Sequence, residues 1–402
     1  MDSAAEGGKR NAERVIATVM MGAVYLFLAS AYFSIAVNSL ALGLLALCWA
    51  AMMISRRQWG VAATPLDFYF LAYCAAEALA TAFSEHRAEA IYLSRRVLLI
   101  GIVYFFASRL ESIAAARKAV AVLLGSAGLV ALLGVLKLVT GGPGENTRLG
   151  IFQFYMTTAE LMMIALLLAI PFVVHACTPR KIRIAAALLV LPVAVSLYAT
   201  VTRGAYLAAA AGIVFIALVR NRKLLIPFIL LVAALLVFAP PYVGSRLQSI
   251  VDLHHPENAS RLILWETGLK IWAAHPVFGV GDIDLGELLR QYADPGYTGE
   301  WGHLHNNALN FLVTLGAVGF AAVAAMFVRI FMTEWRIYRA VRDDWFAGSV
   351  ALGALAVFVG FHVNGLTEWI FGDQEVVVLF WVTLGFAIAV GRLHAAAARG
   401  EG

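Results

Sequence analysis

Two kinds of side chain in this sequence could do chemistry: a closely spaced histidine pair, and a set of arginines between apolar segments. His303 and His305 stand at the start of an apolar run. A neutral imidazole near pH 7 can remove the proton from an attacking hydroxyl group, so general base catalysis is the favoured interpretation. A His-x-His pair also fits a structural role, or a metal site with further ligands. The neighbouring acids Asp282 and Asp284 are equally consistent with an ordinary loop.

Arg203 lies in a very short polar break, residues 200–206, between two apolar runs. A charge near membrane depth is costly and is a functional hypothesis by default. The alternative is an interfacial arginine whose side chain extends to lipid headgroups. We favour anion binding, because guanidinium groups form paired hydrogen bonds with phosphate oxygens. Gly204 would also let a ligand approach the backbone.

Arg261 stands in a second segment that could hold an anion. Asn258 and Ser260 are good helix caps. Four apolar residues then recur at helical spacing: Leu262, Trp265, Leu269 and Trp272. The pattern predicts an amphipathic helix at the membrane surface, with Arg261 in the first turn, where backbone N–H groups favour an anion. The alternative is a solvated arginine on a surface helix.

Other charged residues give weaker indications. Four more arginines lie between apolar runs: Arg95, Arg96, Arg148 and Arg246. The topology described below places them on the same, external side of the membrane as Arg203 and Arg261. Each could contact an anionic ligand or anchor its segment at the membrane interface, and the indication is weakest for Arg246. Three acids follow the eleventh apolar run: Glu368, Asp373 and Glu375. They could balance the arginines or orient His305, although a solvated loop would contain them equally well.

The composition indicates a membrane protein. Of the 402 residues, 62% are hydrophobic and 14% are charged, whereas a soluble protein carries about 25% charged residues. The mean hydropathy is +0.82. The formal net charge of +5 comes from short Lys and Arg clusters between apolar runs, not from a basic stripe with aromatic residues, so we predict no nucleic-acid partner. The 3 cysteines form no CxxC pair and predict no disulfide framework.

A membrane span needs roughly 20 apolar residues, and twelve segments are candidates. They cover about 15–33, 35–54, 65–83, 97–108, 118–139, 151–175, 183–201, 204–219, 224–240, 305–328, 346–366 and 375–391. Most Lys and Arg residues fall on the side of the N-terminus, so the positive-inside rule places both termini in the cytoplasm. The predicted fold is an all-α polytopic membrane protein with about twelve transmembrane helices.

This topology divides the chain into five parts. They are a tail at 1–14, spans one to nine at 15–240, a large external loop with short amphipathic helices at 241–302, spans ten to twelve at 303–392, and a tail at 393–402. Lipid does not tolerate unsatisfied polar backbone, so the large loop lies in water or in a protein-lined cavity. The candidate residues then share the external face, close to substrates carried by lipids.

Four motifs resemble those of the O-antigen ligase family. They are Thr202-Arg203-Gly204, Ser260-Arg261 with Trp265, His275-Pro276-x-x-Gly279-x-Gly281, and His303-x-His305-Asn306. Their order and external placement fit the family, and the similarity covers about residues 14–392. The family often has Ser before the first arginine, where this chain has Thr202.

The resemblance implies a lipid-carrier glycosyltransferase of GT-C-like architecture in the bacterial inner membrane. The implied reaction transfers a glycan from undecaprenyl-pyrophosphate to a sugar hydroxyl of lipid A–core at the periplasmic face, with inversion and without a metal or cofactor. His305, which aligns with the family's His-Asn position, would be the base, with His303 beside it. The arginines would bind the pyrophosphate: Arg203, Arg261, Arg148, Arg96, Arg95 and Arg246.

Three other functions fit parts of the pattern. An O-antigen polymerase would use the same carrier and the same side chains, with a carrier-linked glycan as acceptor. A protein O-glycosyltransferase usually carries an additional soluble C-terminal domain, whereas this sequence ends soon after the last apolar segment. A lipid or sugar transporter commonly has internal repeats and charges at the membrane midplane, and the sequence indicates neither. The ligase is the favoured interpretation.

Overall fold

The computed structural model describes residues 2–57, 60–141, 148–250, 252, 254–294 and 302–400, with side chains from residue 11 onward. All regular structure in these residues is helical, which confirms the predicted fold class. The α-helices are α1 (Asp2–Ser30), α2 (Ile35–Arg56), α3 (Asp67–Phe83), α4 (Arg87–Ser94), α5 (Gly101–Arg109), α6 (Ile113–Gly141), α7 (Tyr155–Val174), α8 (Arg180–Ala199), α9 (Arg203–Arg220), α10 (Leu225–Val237), α11 (Pro241–Gln248), α12 (Pro256–Ala274), α13 (Gly286–Tyr292), α14 (Asn307–Val341), α15 (Trp345–Asn364) and α16 (Gln374–Ala398). A 3₁₀ segment, Arg95–Ile100, joins α4 to α5. Residues 142–147, between the predicted fifth and sixth spans, and parts of the predicted 241–302 loop lie outside the described residues.

The number of spans differs slightly from the prediction. In the described residues, 10 helical segments are long and apolar enough to cross a membrane, or up to 11 if Arg222–Val237 and Pro241–Gln248, which meet at 114°, form one span. Each of the predicted apolar segments lies on a helix, but α3 has only 17 residues and α10 only 13. At a rise of about 1.5 Å per residue, α10 is shorter than the hydrocarbon core of about 30 Å.

Three helices, α7, α15 and α16, form the buried centre of the bundle. Small residues let neighbouring helices approach this centre closely. Gly212 of α9 and Gly360 of α15 both lie against Leu167 of α7. Such contacts are typical of membrane helices, because lipid provides no hydrophobic force that drives helices together. The packing fixes the start of α9 and the end of α15, where candidate site residues lie.

The motif at residues 275–281 packs into a break in α14. Gly316 interrupts that helix with φ +65° and ψ −173°. Gly279 of the motif faces it with φ +69°. A β-carbon would lie 2.3 Å from Val277 O if added to Gly316, and 2.4 Å from Thr314 O if added to Gly279. Glycine is therefore required at both positions, by the backbone conformation and by the close approach.

Backbone hydrogen bonds cross this break and fasten the external loop to the bundle. They run from Val280 N–H to Val313 O at 3.1 Å, from Gly281 N–H to Thr314 O at 2.9 Å, and from Ala317 N–H to Pro276 O at 2.8 Å. The groups that the helix leaves unpaired at Gly316 thus find partners in the loop, as buried backbone groups must. The loop is consequently held in a fixed position relative to α14, which begins beside His305.

We predict that Gly316→Ala lowers the thermal stability of the purified protein. The backbone conformation of Gly316 is one that essentially only glycine adopts and costs other residues about 1–3 kcal/mol, and the clash with Val277 O adds to this cost. The measurement is the unfolding temperature in detergent. Gly125→Ala in α6 is the matched control, because its β-carbon would meet nothing within 4 Å. An unchanged unfolding temperature for Gly316→Ala would contradict the prediction.

Candidate functional site

Three arginines converge on one carboxylate, Glu257, near the start of α12. Arg246 donates to both carboxylate oxygens, at 2.7 and 2.9 Å. Arg203 Nη2 donates to Oε2 at 2.9 Å. Arg148 Nη2 lies 3.6 Å from Oε1. We call these four residues the Glu257 cluster. Arg246, the weakest of the arginine candidates in the sequence, makes the closest contact in this cluster.

Arg203 is the buried member of the Glu257 cluster and the first residue of α9. It is only 7% exposed. Its Nη1 donates to the backbone and side-chain oxygens of Ser249, at 2.7 and 2.8 Å, and its Nη2 also donates to Asn258 Oδ1 at 3.0 Å. An arginine held by these acceptors has one defined orientation. This geometry does not match a side chain that extends to lipid headgroups.

The backbone just before Arg203 is strained. Val201 has φ +51°, a conformation that β-branched residues rarely adopt. Thr202 is the N-cap residue of α9 without a capping hydrogen bond, and its hydroxyl instead donates to Thr200 O at 3.2 Å. Strained residues of this kind persist where the surrounding structure holds them, and they cluster at functional sites.

The arginines determine the ionisation of Glu257. Partial burial acts to raise the pKa of this carboxyl, but the hydrogen bond from Arg246 and the charges of the three arginines outweigh burial and hold the pKa below its ordinary value. Glu257 is therefore ionised at neutral pH and offsets part of the positive charge. Its side chain is 43% exposed, so the Glu257 cluster is open to solvent on one side.

A second carboxylate, Glu368, joins His305 to Arg261. Glu368 Oε1 accepts a hydrogen bond from Arg261 Nη2, and Oε2 lies 2.7 Å from His305 Nδ1. The side chains of Glu368 and His305 are each 8% exposed. Because a carboxylate accepts hydrogen bonds, this contact favours the proton on Nδ1 and makes Nε2 the basic nitrogen. A carboxylate in this position orients an imidazole and stabilises its protonated form.

Two asparagines hold the segment that carries Glu368 against the segment that carries His305. Asn306 is the N-cap residue of α14, and its side chain also donates to Leu366 O at 2.9 Å. The backbone N–H of Asn307 donates to Gly365 O at 2.7 Å. His305 itself has φ +47°, in the left-handed region that His enters more readily than most residues. The contact between His305 and Glu368 is thus fixed from both sides.

The two histidines differ in their environment. Their ring centroids are 4.2 Å apart, and His303 Nδ1 accepts a hydrogen bond from the backbone N–H of His305 at 3.3 Å. Burial, and then the electrostatic interaction with the neighbouring His305, lowers the pKa of His303 to about 4. His303 is therefore neutral at pH 7 and a weak proton acceptor. The geometry favours His305 as the base.

Helix α12 begins earlier than predicted, and this corrects the expected role of Arg261. The helix starts at Pro256, with His255 as its N-cap residue, because proline is favoured at the first helical position. Arg261 therefore lies in the second turn, away from the exposed N–H groups of the helix start. It acts through its guanidinium group, which contacts Glu368.

The buried face of α12 is also displaced from the predicted one. It consists of Leu264, Thr267, Gly268 and Ile271. Two residues of the predicted face, Leu262 and Leu269, are exposed. Trp265 is half-buried, and its Nε1 donates to Leu304 O at 3.0 Å. This bond ties α12 to the histidine segment, so Trp265 positions residues of the site.

Arg95 and Arg96 lie apart from the other predicted arginines. Arg95 stacks on Tyr92, with 3.8 Å between its guanidinium carbon and the ring centroid. Arg96 Nε lies 3.0 Å from Asp282 Oδ2. The other four, Arg148, Arg203, Arg246 and Arg261, are close electrostatic neighbours. The described contacts therefore divide the six arginines into two groups, and their role in anion binding stays a prediction.

Of the two carboxylates of the site, the sequence indicates Glu368 as a candidate but not Glu257. Glu368 was one of three acids that could have oriented His305, and the structure gives it that position instead of a solvated one. Glu257 was not singled out. The sequence feature that could have indicated Glu257 is the excess of arginines on one predicted face, because clustered cations are stabilised by a nearby acid.

Metal ligands were an alternative interpretation of the histidine pair. In the parts of the chain that the structure describes, no group of three or more His, Cys, Asp or Glu residues could hold a metal ion. Asp282 contacts Arg96, not the histidines. The expectation of a metal-independent reaction stays a prediction.

Comparison with known proteins finds one family model that matches part of the chain. Residues 187–324 match the family model described as "O-Antigen ligase", and this range contains Arg203, Glu257, Arg261 and both histidines. One solved structure, described as "Structural coordination of polymerization and crosslinking by a peptidoglycan synthase complex", has a TM-score of 0.46 and 20% identity, and the alignment covers 81% of this chain and 96% of that chain. A comparison with curated protein sequences finds no match.

The fold and the family match together define a class of protein. The chain is a multi-pass membrane protein, and the match supports glycosyl transfer as its general activity. The resemblance to the O-antigen ligase family that the sequence motifs indicated is confirmed by the match over residues 187–324.

We predict that Glu257→Gln lowers the thermal stability of the protein without ligand but increases its affinity for anions. Without the carboxylate, three arginines repel one another, and inorganic pyrophosphate no longer competes with a resident negative charge. We expect a lower unfolding temperature without anion and about tenfold tighter pyrophosphate binding, or ~1.4 kcal/mol. The measurement is a titration of thermal stability with pyrophosphate.

Glu266→Gln is the matched control for this experiment. Glu266 lies on the same helix, is 66% exposed and contacts only Lys270 among the described residues, at 3.2 Å. It should change neither the resting stability nor the response to pyrophosphate. Equal pyrophosphate affinities for wild type and Glu257→Gln would show that Glu257 does not occupy the anion site.

We also predict that His303 makes stability depend on pH. His303 is neutral in the folded protein down to about pH 4, whereas the ordinary histidine pKa is 6.5. Between these values the unfolded chain binds more protons, so the free energy of unfolding decreases as the pH falls. His303→Gln should lose less thermal stability than wild type between pH 7.5 and pH 5. Parallel losses in both proteins would rule out this contribution.

Proposed function

We propose that the protein is an O-antigen ligase that transfers a glycan from undecaprenyl-pyrophosphate to a sugar hydroxyl of lipid A–core. The observation that carries the proposal is the contact of His305 with Glu368, next to Arg261 and the Glu257 cluster. An oriented base adjoining a concentration of arginines is what this transfer requires, since a hydroxyl must lose a proton while a pyrophosphate gains negative charge.

On the donor side, the arginines would bind the pyrophosphate of the carrier. The carbon–oxygen bond between the sugar and the pyrophosphate breaks, and its electron pair stays on the pyrophosphate oxygen. Arg203 and Arg246 would stabilise that charge, with Arg148 and Arg261 at the edges. Arg203 would need no rearrangement, because Ser249 and Asn258 hold it independently of Glu257.

On the acceptor side, His305 would accept the proton of the attacking hydroxyl at Nε2. The oxygen of that hydroxyl then forms the new bond to the anomeric carbon, from the face opposite to the departing pyrophosphate, so the configuration inverts. Glu368 would stabilise the resulting imidazolium ion, as its 2.7 Å contact with Nδ1 allows. Arg261 would limit how strongly Glu368 attracts the proton.

The proposal includes a topology in the bacterial inner membrane. Both termini would be cytoplasmic, and the segment around 241–302 would face the periplasm between spans one to nine and spans ten to twelve. The distribution of Lys and Arg along the sequence supports this orientation. Both lipid-linked substrates are presented at the periplasmic face in the proposed reaction.

The test is a reconstituted transfer assay with undecaprenyl-pyrophosphate-linked glycan and lipid A–core in the presence of EDTA. Wild-type protein should form the glycan–lipid A–core product. His305→Ala should lower the rate by roughly 10²–10⁴-fold, the usual contribution of a general base. His254→Ala is the matched control, because His254 is 99% exposed and should leave the rate unchanged.

Other outcomes would change the assignment. Elongation of the carrier-linked glycan without transfer to lipid A–core would identify a polymerase with the same site. Full activity of His305→Ala would remove His305 from the reaction. Activity that EDTA abolishes and a divalent cation restores would contradict the metal-independent mechanism.

A further inference from the structure

An apolar groove lies on the outer surface of the bundle, and no residue of the Glu257 cluster lines it. Its volume is about 580 Å³, within the range of about 300–1,000 Å³ typical of ligand sites. Its apolar part is formed by residues of α1, α2 and α5, including Phe27, Leu42, Trp49 and Phe105. Leu98, another lining residue, is 76% exposed. The groove is therefore open on its outer side, which in a membrane protein can face lipid.

One end of the groove is polar. Arg95 and Arg96 line it, together with Gln374 and Ser39, which are joined by a 3.0 Å hydrogen bond from Gln374 Nε2 to Ser39 Oγ. No acidic side chain lines the groove within the described residues. An apolar groove with two cations at one end complements a lipid that carries a phosphate group.

Both arginines have N–H groups that make no hydrogen bond within the described residues. Arg95 is exposed and stacks on Tyr92, and it forms no ion pair within the described part of the chain. Arg96 is fixed through Nε to Asp282 and to Leu93 O. Its Nη1 is buried and has no hydrogen-bond partner among the described residues. The exposed guanidinium group of Arg95, which also lines the groove, can donate to a phosphate oxygen bound there, with Arg96 beside it.

The polar end of the groove lies beside the candidate catalytic residues. The Arg96 guanidinium carbon is 5.8 Å from the ring centroid of Trp369. Trp369 directly follows Glu368, which contacts His305. None of the residues of the Glu257 cluster lines the groove. The molecule therefore has two separate groups of arginines. Glu368 contacts Arg261 directly, and the residue that follows it, Trp369, lies next to Arg96.

We propose that this groove binds the acceptor glycolipid, with a lipid phosphate on Arg95 and Arg96 and one acyl chain in the apolar part. The inference rests on the proposed transfer between two lipid-linked substrates. The Glu257 cluster is assigned to the pyrophosphate of the carrier, so the separate groove is assigned to the second lipid. From there the sugars of the acceptor extend past Trp369 toward His305.

The experiment compares two variants of the groove with a matched control. Gly43 lies on α2 in the groove wall, and a β-carbon there would meet nothing within 4 Å. Gly43→Leu should therefore fill the groove without a clash. Arg95→Ala removes one cation and leaves the Arg96–Asp282 contact intact. Gly125→Leu on α6 is the control, because its β-carbon also meets nothing within 4 Å and it does not line the groove.

Two readouts are measured. In the transfer assay, Gly43→Leu and Arg95→Ala should raise the KM for lipid A–core about tenfold and leave the KM for the carrier-linked glycan within about twofold. Native mass spectrometry measures binding without turnover, with lipid A–core and its dephosphorylated form as probes. Wild type and Gly125→Leu should bind the phosphorylated form more tightly, and Arg95→Ala should lose this preference.

The possible outcomes separate this proposal from the proposed function. A raised KM for the carrier in Gly43→Leu would place the polyprenyl chain in the groove and overturn the assignment. Unchanged binding and kinetics in both variants would show that the groove binds neither substrate. Another outcome is that wild type forms no product and still binds phosphorylated lipid A–core, with Gly43→Leu abolishing that binding. This result would support the groove as a glycolipid site and contradict the ligase assignment.

Discussion

The buried carboxylate of Glu368 is the interaction on which the candidate site depends. A buried charge costs several kcal/mol unless it is paired, so Glu368 requires both Arg261 and His305. These three residues come from three segments that are distant in sequence: α12, the segment before α14, and the segment after α15. The ion pair therefore joins the external helix to the bundle and orients the imidazole with the same contact. Loss of Arg261 would leave the carboxylate without its counter-charge, and loss of His305 would remove the hydrogen-bond partner of Oε2.

The Glu257 cluster resolves a conflict between stability and binding. A site for a polyanion needs several cations close together, and without a ligand those cations repel one another. Glu257 offsets this repulsion from the first turn of α12, where a negative charge is also favoured by the helix dipole. Because Glu257 is half-exposed and Arg203 has other acceptors, an incoming anion can replace the carboxylate without unfolding the site.

The sequence predicts the helices and the types of the reacting residues better than it predicts their partners. Each apolar segment that hydropathy identifies lies on a helix of the structure. Hydropathy does not predict the last part of α14, because the helix continues beyond residue 328 to Val341 with a more polar composition. His305, Arg203 and Arg261 were found because charged and titratable groups are unusual beside spans. The sequence does not predict the role of Glu257, nor that Arg95 and Arg96 contact other residues than the remaining arginines do. Pairing between residues distant in sequence depends on tertiary packing. The contact of Gly279 with Gly316 depends on it as well.

Backbone strain indicates that the site is formed before substrate arrives. In the described residues, three non-glycine residues have positive φ: Arg57, Val201 and His305. Arg57 is an ordinary helix C-cap, whereas Val201 stands two residues before Arg203, and His305 contacts Glu368. Each strained residue is held by bonds of its neighbours, from Arg203 to Ser249 and from Asn306 to Leu366. Because those bonds need no ligand, the base and the arginines are already oriented, and substrate binding need not supply the energy to arrange them.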